Sequence, residues 1–135
     1  MKKNLLIAMS MVLALTLATG CGCTKSKKNE KEEVKVNTEK EVIKDQTVDG
    51  LELTNTSLVT TDGISKLTTL VSNNTSSDYE LNEFTIIIKD ANGEEIVRIP
   101  GYVGSTIKAG ESKTINSSVD IDLSKAKSVE YEVVK

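Results

Sequence analysis

Two cysteines, Cys21 and Cys23, are the residues of this chain best suited to covalent chemistry, and they are its only cysteines. A thiol can form a disulfide, bind a soft metal ion or accept a lipid group. A disulfide between them would close a very small ring, whereas stable bridges need Cα atoms about 4.4–6.8 Å apart. A zinc or copper site needs further Cys or His ligands, and the chain has no His. The pair therefore predicts neither a disulfide nor a metal site.

The residues before Cys21 are typical of an exported protein. Lys2 and Lys3 give a positively charged start, and residues 5–17 form an uncharged, mostly apolar run of thirteen residues. A helix needs about 20 residues to cross the hydrocarbon core of a bilayer. The run therefore predicts a cleaved secretory signal peptide over residues 1–20. A buried N-terminal helix is the alternative, which the lack of a polar face disfavours.

The stretch Ala18, Thr19, Gly20 and Cys21 resembles the lipobox of bacterial lipoproteins, in which small residues precede the modified cysteine. The resemblance implies cleavage between Gly20 and Cys21 and a covalent diacylglycerol group on the Cys21 sulfur. Two acyl chains hold a protein stably to a bilayer. The membrane is then a partner, and the location is the extracytoplasmic face of the bacterial cell membrane. Cys23 is left as an odd thiol, either inert or itself modified or redox-active.

Acidic side chains are the next candidates for chemistry. Asp120 and Asp122 alternate along one predicted strand and could contribute to a calcium site, which needs six to eight oxygen ligands from several segments. Asp90, Glu94 and Glu95 lie at a predicted hairpin turn, a convex place that does not bring two carboxylates into one cleft. We expect solvated charge at both places.

The absence of His also limits catalysis, because His is the commonest general base and the usual activator of a nucleophile. The sequence therefore predicts a protein that is not an enzyme, has no catalytic residues and carries no cofactor apart from the lipid. Residues 46–135 contain fourteen acidic and eight basic residues, a net charge of −6. With no basic patch interleaved with aromatic residues, nucleic acid is not an expected partner.

Residues 21–46 are predicted to be a lipidated cysteine followed by a flexible, charged tether. The segment contains few strong apolar residues, which are Val34, Val36, Val42 and Ile43. Burying so few does not offset the entropy of ordering the chain. A helix is the alternative, but i,i+3 charge pairs add only about 0.2–0.5 kcal/mol each. As a coil the tether would span about 25–30 Å r.m.s..

Residues 47–135 have the short alternating segments of an all-β domain. The predicted strands are 51–60, 64–73, 81–89, 95–99, 103–107, 115–123 and 129–133. Thr61-Asp62-Gly63 and Asp90-Ala91-Asn92-Gly93 predict hairpin turns, because Asn and Gly tolerate positive φ, and Pro100-Gly101 is expected to end a strand. About seven short strands predict an immunoglobulin-like (Ig-like) antiparallel β-sandwich. The predicted core residues are Phe84, Ile86, Ile88, Val119, Ile121, Val129 and Tyr131.

Residues 66–121 resemble the FxLYD-type, Ig-like domains of small bacterial lipoproteins. The resemblance lies in Asn73 before a polar loop, the strand Ile86-Ile87-Ile88-Lys89-Asp90 followed by Asn-Gly, and the later turn Ala109-Gly110-Glu111. The chain departs from the pattern at Ile86, where Phe is usual, and at Lys89, where Tyr is usual. The resemblance implies the sandwich fold and assigns no activity.

Tyr79 and Tyr102 are the candidate binding residues, because both are expected in loops, where an exposed aromatic side chain can anchor a partner. The alternative is that each ring packs over the end of a sheet. We expect a lipid-anchored accessory module that binds another envelope or surface protein. A solute-binding lipoprotein working with a transporter is the alternative, and it predicts a concave pocket of more than about 300 Å³.

Overall fold

Ten antiparallel strands make up the fold. The computed structural model describes residues 31–135, and no helix occurs among them. The strands are β1 (Val34–Asn37), β2 (Gln46–Val48), β3 (Leu51–Thr61), β4 (Ile64–Ser72), β5 (Tyr79–Glu80), β6 (Glu83–Lys89), β7 (Glu95–Tyr102), β8 (Thr106–Ile107), β9 (Ser112–Val119) and β10 (Ser128–Val133). The predicted signal peptide, the lipobox with Cys21, and Cys23 lie outside the described residues.

The larger sheet is built around the hairpin of β3 and β4. The other side of β4 pairs with β9, and the other side of β3 pairs with β1 and, further along, with β2. Asp62 and Gly63 form the turn between β3 and β4 at φ 50° and 83°. Two successive positive φ values match the twist of a tight hairpin. The turn predicted here is confirmed.

The smaller sheet has the order β10-β6-β7. In the turn between β6 and β7, the Gly93 N–H donates to the Asp90 carbonyl at 3.1 Å, and the Asp90 N–H donates to the Glu94 carbonyl at 2.9 Å. Of these turn residues only Gly93 has a positive φ, at 80°. The predicted hairpin is confirmed, with a longer loop than an Asn-Gly turn in which both residues are left-handed.

The chain crosses between the two sheets after β4, after β7 and again after β9. Because β9 returns beside β4 and β10 lies beside β6, these connections have the Greek-key pattern of immunoglobulin-like sandwiches. The predicted all-β, antiparallel β-sandwich is confirmed. Three short strands, β1, β2 and β5, add to the seven predicted.

The core is an apolar layer between the sheets, supplied by alternate residues of each strand. Phe84, Ile86 and Ile88 of β6 are at most 2% exposed, and Val129 and Tyr131 of β10 are also buried. The rings of Phe84 and Tyr131 meet edge to face with centroids 5.6 Å apart, a favourable geometry for aromatic pairs. These five residues confirm the predicted core.

The predicted core position of Ile121 was wrong. Val119 packs partly buried against the core, but Ile121 is 37% exposed. The strand β9 ends at Val119, and the chain then bends so that the Ile121 carbonyl accepts a hydrogen bond from the Ser65 hydroxyl at 2.6 Å. Leu123 returns to the core, with its N–H bonded to the same hydroxyl at 2.9 Å. The sequence alternation continues past the point where the strand ends.

The second half of the predicted flexible tether belongs to the domain, so the boundary after residue 46 was wrong. In register, Val36 of β1 faces Val59 and Gln46 of β2 faces Leu53. Between these strands a turn places Val42 in the core, where it is fully buried. The prediction considered only the few apolar residues within the segment. It did not include the strand partners of the segment, which lie along the edge of β3.

Side-chain amides fasten β1 and β2 to β10 and to the segment that precedes it. Asn37 Nδ2 donates to the carbonyls of Leu123 at 3.2 Å and Ala126 at 2.9 Å, and Gln46 Nε2 donates to the Val129 carbonyl at 3.0 Å. On the opposite side of the sandwich, the Ser117 hydroxyl donates to a carbonyl of β7 at 2.7 Å. Both sides are therefore closed by bonds to main-chain carbonyls.

Pro100 and Gly101 lie within β7, so the prediction that they end a strand was wrong. Among the described strands, β7 is at the edge of its sheet, where a residue without an N–H is tolerated. A Cβ atom at position 101 would lie 2.7 Å from the ring of Phe84, so only glycine fits there without a shift. The strand continues to Tyr102.

The sandwich has two ends, which we call proximal and distal. The proximal end holds the first described residues, the turns 62–63 and 90–94, and residues 120–127; here the Glu33 N–H donates to the Asp62 carboxylate at 3.1 Å. The distal end holds the turns 49–50 and 108–111, the loop 73–78, residues 103–105 and the C-terminus. The chain therefore enters the domain at the end opposite to these loops.

The buried position of Val42 gives a direct test of where the domain begins. Val42→Ala should lower the free energy of unfolding by about 2 kcal/mol, because it removes two buried methyl groups and leaves a cavity. Val34→Ala is the matched control: Val34 is 58% exposed, so the change should stay within about 0.5 kcal/mol. Urea unfolding followed by far-ultraviolet circular dichroism measures both. If both substitutions change the free energy of unfolding equally little, Val42 is not packed in the core and the prediction of a flexible tether stands.

Candidate binding surface at the distal end

Tyr79 and Tyr102 lie in strands of one irregular ladder, whereas both were expected in loops. Tyr79 of β5 pairs with Ile107 of β8, and Tyr102 of β7 pairs with Glu83 of β6. Between these pairs the Leu81 N–H donates to a carbonyl at 2.8 Å, which keeps the two chains together. The prediction missed this because it ended the strand at Pro100. The ladder brings both tyrosines to the distal end of the sandwich.

Asn73 fixes the loop beside this ladder. Its side chain is fully buried, and its Nδ2 donates to the carbonyls of Ser77 at 2.8 Å and Ile107 at 2.9 Å. Its Oδ1 accepts bonds from the N–H and hydroxyl of Thr75 at 3.1 and 2.7 Å. One amide therefore satisfies the polar groups of loop 73–78 and ties the loop to β8. The loop is positioned by the fold before any partner binds.

The hydroxyl of Tyr79 is used within the domain. It donates to the carboxylate of Asp49, in the turn between β2 and β3, and Lys135 Nζ lies 3.2 Å from the same carboxylate. Burial and the bond to Asp49 raise the pKa of Tyr79 to about 12. The bonds from Tyr79 and Lys135 lower the pKa of the Asp49 carboxyl. Since its ring also packs against the core, Tyr79 joins three parts of the distal end.

Tyr102 is the more accessible of the two candidates, with 69% of its surface exposed. It follows Arg98 and Pro100 along the outer face of β7, and these side chains line an open depression of about 390 Å³. Glu83 and Thr85 of β6 line the same depression. The alternation from Arg98 to Tyr102 is visible in the sequence and would have identified this face had the strand been extended.

A second open depression, of about 340 Å³, adjoins the first along the same ladder. Its lining residues are Glu80, Leu81, Asn82, Ser105, Thr106, Val134 and Lys135. The Val134 N–H donates to the Glu83 carbonyl at 3.4 Å, which places the two depressions next to each other. We call the two together the distal surface. Sequence reasoning missed this part because it contains no motif, only residues of the ladder and the C-terminus.

Ion pairs hold the rim of the distal surface in place. Arg98 bonds Glu95 at 2.9 Å and Glu132 at 3.0 Å across the three strands of the smaller sheet. Beneath these charged side chains lies Ile87, which is 2% exposed although it faces outward from the core. Within residues 31–135 no cation pairs with Glu83, the acidic residue in register with Tyr102. The surface therefore presents an aromatic ring beside a carboxylate.

Asp122 and Asp90, two of the other acidic candidates, are held by hydrogen bonds within the domain. Asp122 accepts the N–H of Ser124 at 2.9 Å and Lys35 Nζ at 3.0 Å; Ser124 and Lys35 together lower its pKa to about 2. Asp90 accepts the N–H groups of Asn92 and Glu94, which lower its pKa. In the described part of the chain, no three His, Cys, Asp or Glu side chains come together as metal ligands.

The space between the sheets offers little room for a ligand. An apolar cavity next to Phe84 and Tyr131 measures about 10 Å³, close to the smallest volume that holds a single water molecule. Thr56 and Thr69 meet in the core at 3.0 Å, beside the Tyr131 hydroxyl. Across the described residues, every buried side-chain nitrogen or oxygen has a hydrogen-bond partner. The accessible features of this domain are therefore on its surface.

Comparison of the chain with protein-family models, with curated proteins and with solved structures found no match in any of the three. The resemblance to FxLYD-type domains therefore stays a prediction from the residues. In residues 31–135, no helix is long and apolar enough to cross a membrane.

The bond between Tyr79 and Asp49 predicts a specific titration. Because folding raises the pKa of this hydroxyl from 10.0 to about 12, its contribution to stability is complete below about pH 10 and is lost as the pH rises towards 12. Asp49→Asn should lower the pKa of Tyr79 only in part, since burial remains. Absorbance of the ionised tyrosine measures this, with Tyr79→Phe identifying the transition. An unchanged titration in Asp49→Asn would show that the bond contributes nothing.

Proposed function

We propose that this chain is a non-enzymatic, lipid-anchored surface lipoprotein whose distal surface binds another protein of the bacterial envelope. One observation carries the proposal: the chain enters at the proximal end of the sandwich, while exposed Tyr102 lies at the distal end. An anchor attached before residue 31 therefore leaves the distal surface facing away from the membrane. The FxLYD resemblance agrees with this proposal and is itself a prediction.

The N-terminal sequence supports the anchor. The signal-like run 5–17 and the lipobox-like stretch ending at Cys21 together imply a diacylglyceryl group on the mature N-terminus. Because β1 belongs to the domain, the spacer between Cys21 and Lys31 shortens to residues 22–30. A chain of that length spans about 15–18 Å r.m.s. if it is flexible. The domain would then stay close to the membrane.

The form of the distal surface supports a protein partner over a solute. Its two depressions reach the volume of ligand pockets, which begins at about 300 Å³, and this favours the solute-binding alternative. However, small-molecule sites enclose most of the ligand, whereas these depressions are open. An exposed tyrosine near charged side chains is typical of the anchors of protein interfaces. We therefore favour a protein ligand.

The two cysteines give a matched test of the anchor. Cys21→Ser should abolish incorporation of a labelled fatty acid and release the protein from the membrane fraction, because the thiol that accepts the lipid is gone. Cys23→Ser should leave both labelling and membrane attachment unchanged. Metabolic labelling and cell fractionation measure the two outcomes. A Cys21→Ser protein that still carries the lipid would overturn this part of the proposal.

Tyr102 gives a test of the distal surface. Tyr102→Ala should weaken binding of a protein partner by about tenfold or more, as expected for a central aromatic contact. Chemical crosslinking on intact cells followed by mass spectrometry should recover one specific envelope protein with the unchanged chain and much less of it with Tyr102→Ala. Lys66→Ala is the control, since Lys66 is exposed on the outer face of the other sheet.

Two results of this experiment would contradict the proposal. Recovery of the same protein with equal yield from Tyr102→Ala would show that the binding site is not at the distal surface. Failure to recover any specific protein, together with saturable binding of a small molecule, would support the transporter-associated alternative in its place.

A further inference from the structure

The proximal end exposes several large aliphatic side chains. Val34 is 58% exposed, Val36 61%, Ile64 44% and Ile121 37%. These are four of the seven large apolar side chains that are exposed among the described residues. Contiguous exposed apolar groups of this kind usually mark a contact surface. We call these four residues the proximal aliphatic patch.

The strand register brings three members of the patch onto one sheet face. Val34 is opposite Thr61, and Thr61 is opposite Ile64, so the two aliphatic side chains flank one threonine. Val36 lies two residues further along the same face of β1, opposite Val59. Directly opposite residues on neighbouring strands lie about 4.5–5.5 Å apart at Cβ, so Val34 and Ile64, on either side of Thr61, lie about twice as far from each other.

Ile121 is exposed at the same end of the sandwich, in the segment that follows β9. The Ser65 hydroxyl, next to Ile64 in the chain, donates to the Ile121 carbonyl at 2.6 Å. Lys35 Nζ, between Val34 and Val36, bonds Asp122 at 3.0 Å. The charges at this end therefore pair with each other, and the aliphatic side chains are left facing outward.

We infer that the proximal aliphatic patch rests on the lipid surface to which the chain is anchored, and so holds the proximal end of the domain against that surface. This inference rests on the lipid anchor proposed at Cys21. The position of the patch favours a lipid partner, because the patch begins at Val34, thirteen residues after Cys21.

A weak apolar contact is sufficient at this position. A short spacer keeps two linked groups at an effective concentration of about millimolar, so the patch needs no high intrinsic affinity for lipid. The charged residues around it have both signs, with Glu33, Lys35, Asp62 and Lys66 on the neighbouring positions. The contact therefore depends on apolar burial at the headgroup boundary and not on attraction to anionic lipids.

The test places one fluorescent probe on the patch and one away from it in the acylated, full-length mature chain. In a Cys23→Ser background the Cys21 sulfur is blocked by its lipid, so Ile64→Cys carries the only free thiol. Thr114→Cys is the matched control, on the outer face of the same sheet but towards the distal end. The labelled proteins are inserted into phosphatidylcholine vesicles that carry a nitroxide at shallow depth in the acyl chains.

The expected result is loss of fluorescence at position 64 and none at position 114. Replacing Val34 and Val36 by Lys should restore the fluorescence at position 64 while the acyl chains keep the protein on the vesicles. Adding phosphatidylglycerol should leave the contrast between the two positions unchanged.

Three other results would overturn the inference, and they differ from one another. If the protein floats with the vesicles but position 64 is not quenched, the anchor stands and the patch does not touch lipid. If position 64 becomes protected only as the number of copies per vesicle rises, the patch binds a second copy of this chain. If the protein does not float with the vesicles, the proposed anchor fails and the inference fails with it.

Discussion

Burial of one apolar layer between two sheets is the interaction on which the rest of this structure depends. The chain has no cysteine after Cys23, so packing around Phe84, Ile86 and Ile88 must hold the sheets together. That layer is stable only if its sides are closed, because a buried main-chain carbonyl without a partner costs about 1–3 kcal/mol. Asn37 and Gln46 on one side, and Ser117 on the other, supply those partners. The closed sandwich then holds the loops at both ends in defined positions.

The parts of the fold that could be predicted are those specified by residues close to one another in the sequence. β10 alternates strictly between polar and apolar residues, β6 places Phe84, Ile86 and Ile88 at a period of two, and turns such as Asp62-Gly63 have a characteristic sequence. β1 could not be predicted in this way, because its partners lie on β3, 21 to 27 residues away along the chain. β2 pairs with residues of β3 that are only 3 to 7 residues away, but its 3 residues are too few to show an alternating pattern. Pro100 was misleading for a related reason. Whether a proline ends a strand depends on whether that strand lies at the edge of its sheet, and the order of the strands in a sheet cannot be read from the sequence.

The candidate binding surface could likewise be predicted from the sequence only in part. The sequence identified both tyrosines but could not distinguish them, because the difference lies in Asp49, which bonds the Tyr79 hydroxyl from another turn. Among residues 31–135 no side chain bonds the Tyr102 hydroxyl, and Tyr102 remains 69% exposed. The residues that shape the surface around it, Arg98 and Glu83, are brought together by strand pairing. Asp90, by contrast, bonds groups within four residues of itself, whereas Asp122 bonds both the nearby Ser124 and Lys35 of β1. The prediction of solvated charge did not include the Lys35 contact, because that contact depends on the pairing of β1 with β3.

The shorter the spacer, the more the orientation of the domain on its anchor would decide which of its faces can contact a partner. A coil of 25 residues would let the sandwich turn freely at some 25–30 Å from its anchor. With β1 in the sheet, a flexible spacer of residues 22–30 would span less than the length of the sandwich, since the 11 residues of β3 extend over about 36 Å. If the chain is anchored at Cys21 as proposed, a domain held that closely would not present all its faces equally, and the end at which the chain enters would lie nearest the membrane. The aliphatic side chains of Val34 and Val36 lie at that end and Tyr102 at the other. Membrane contact and partner binding would then depend on opposite ends of one rigid sandwich, and a substitution at one end should leave the other unchanged.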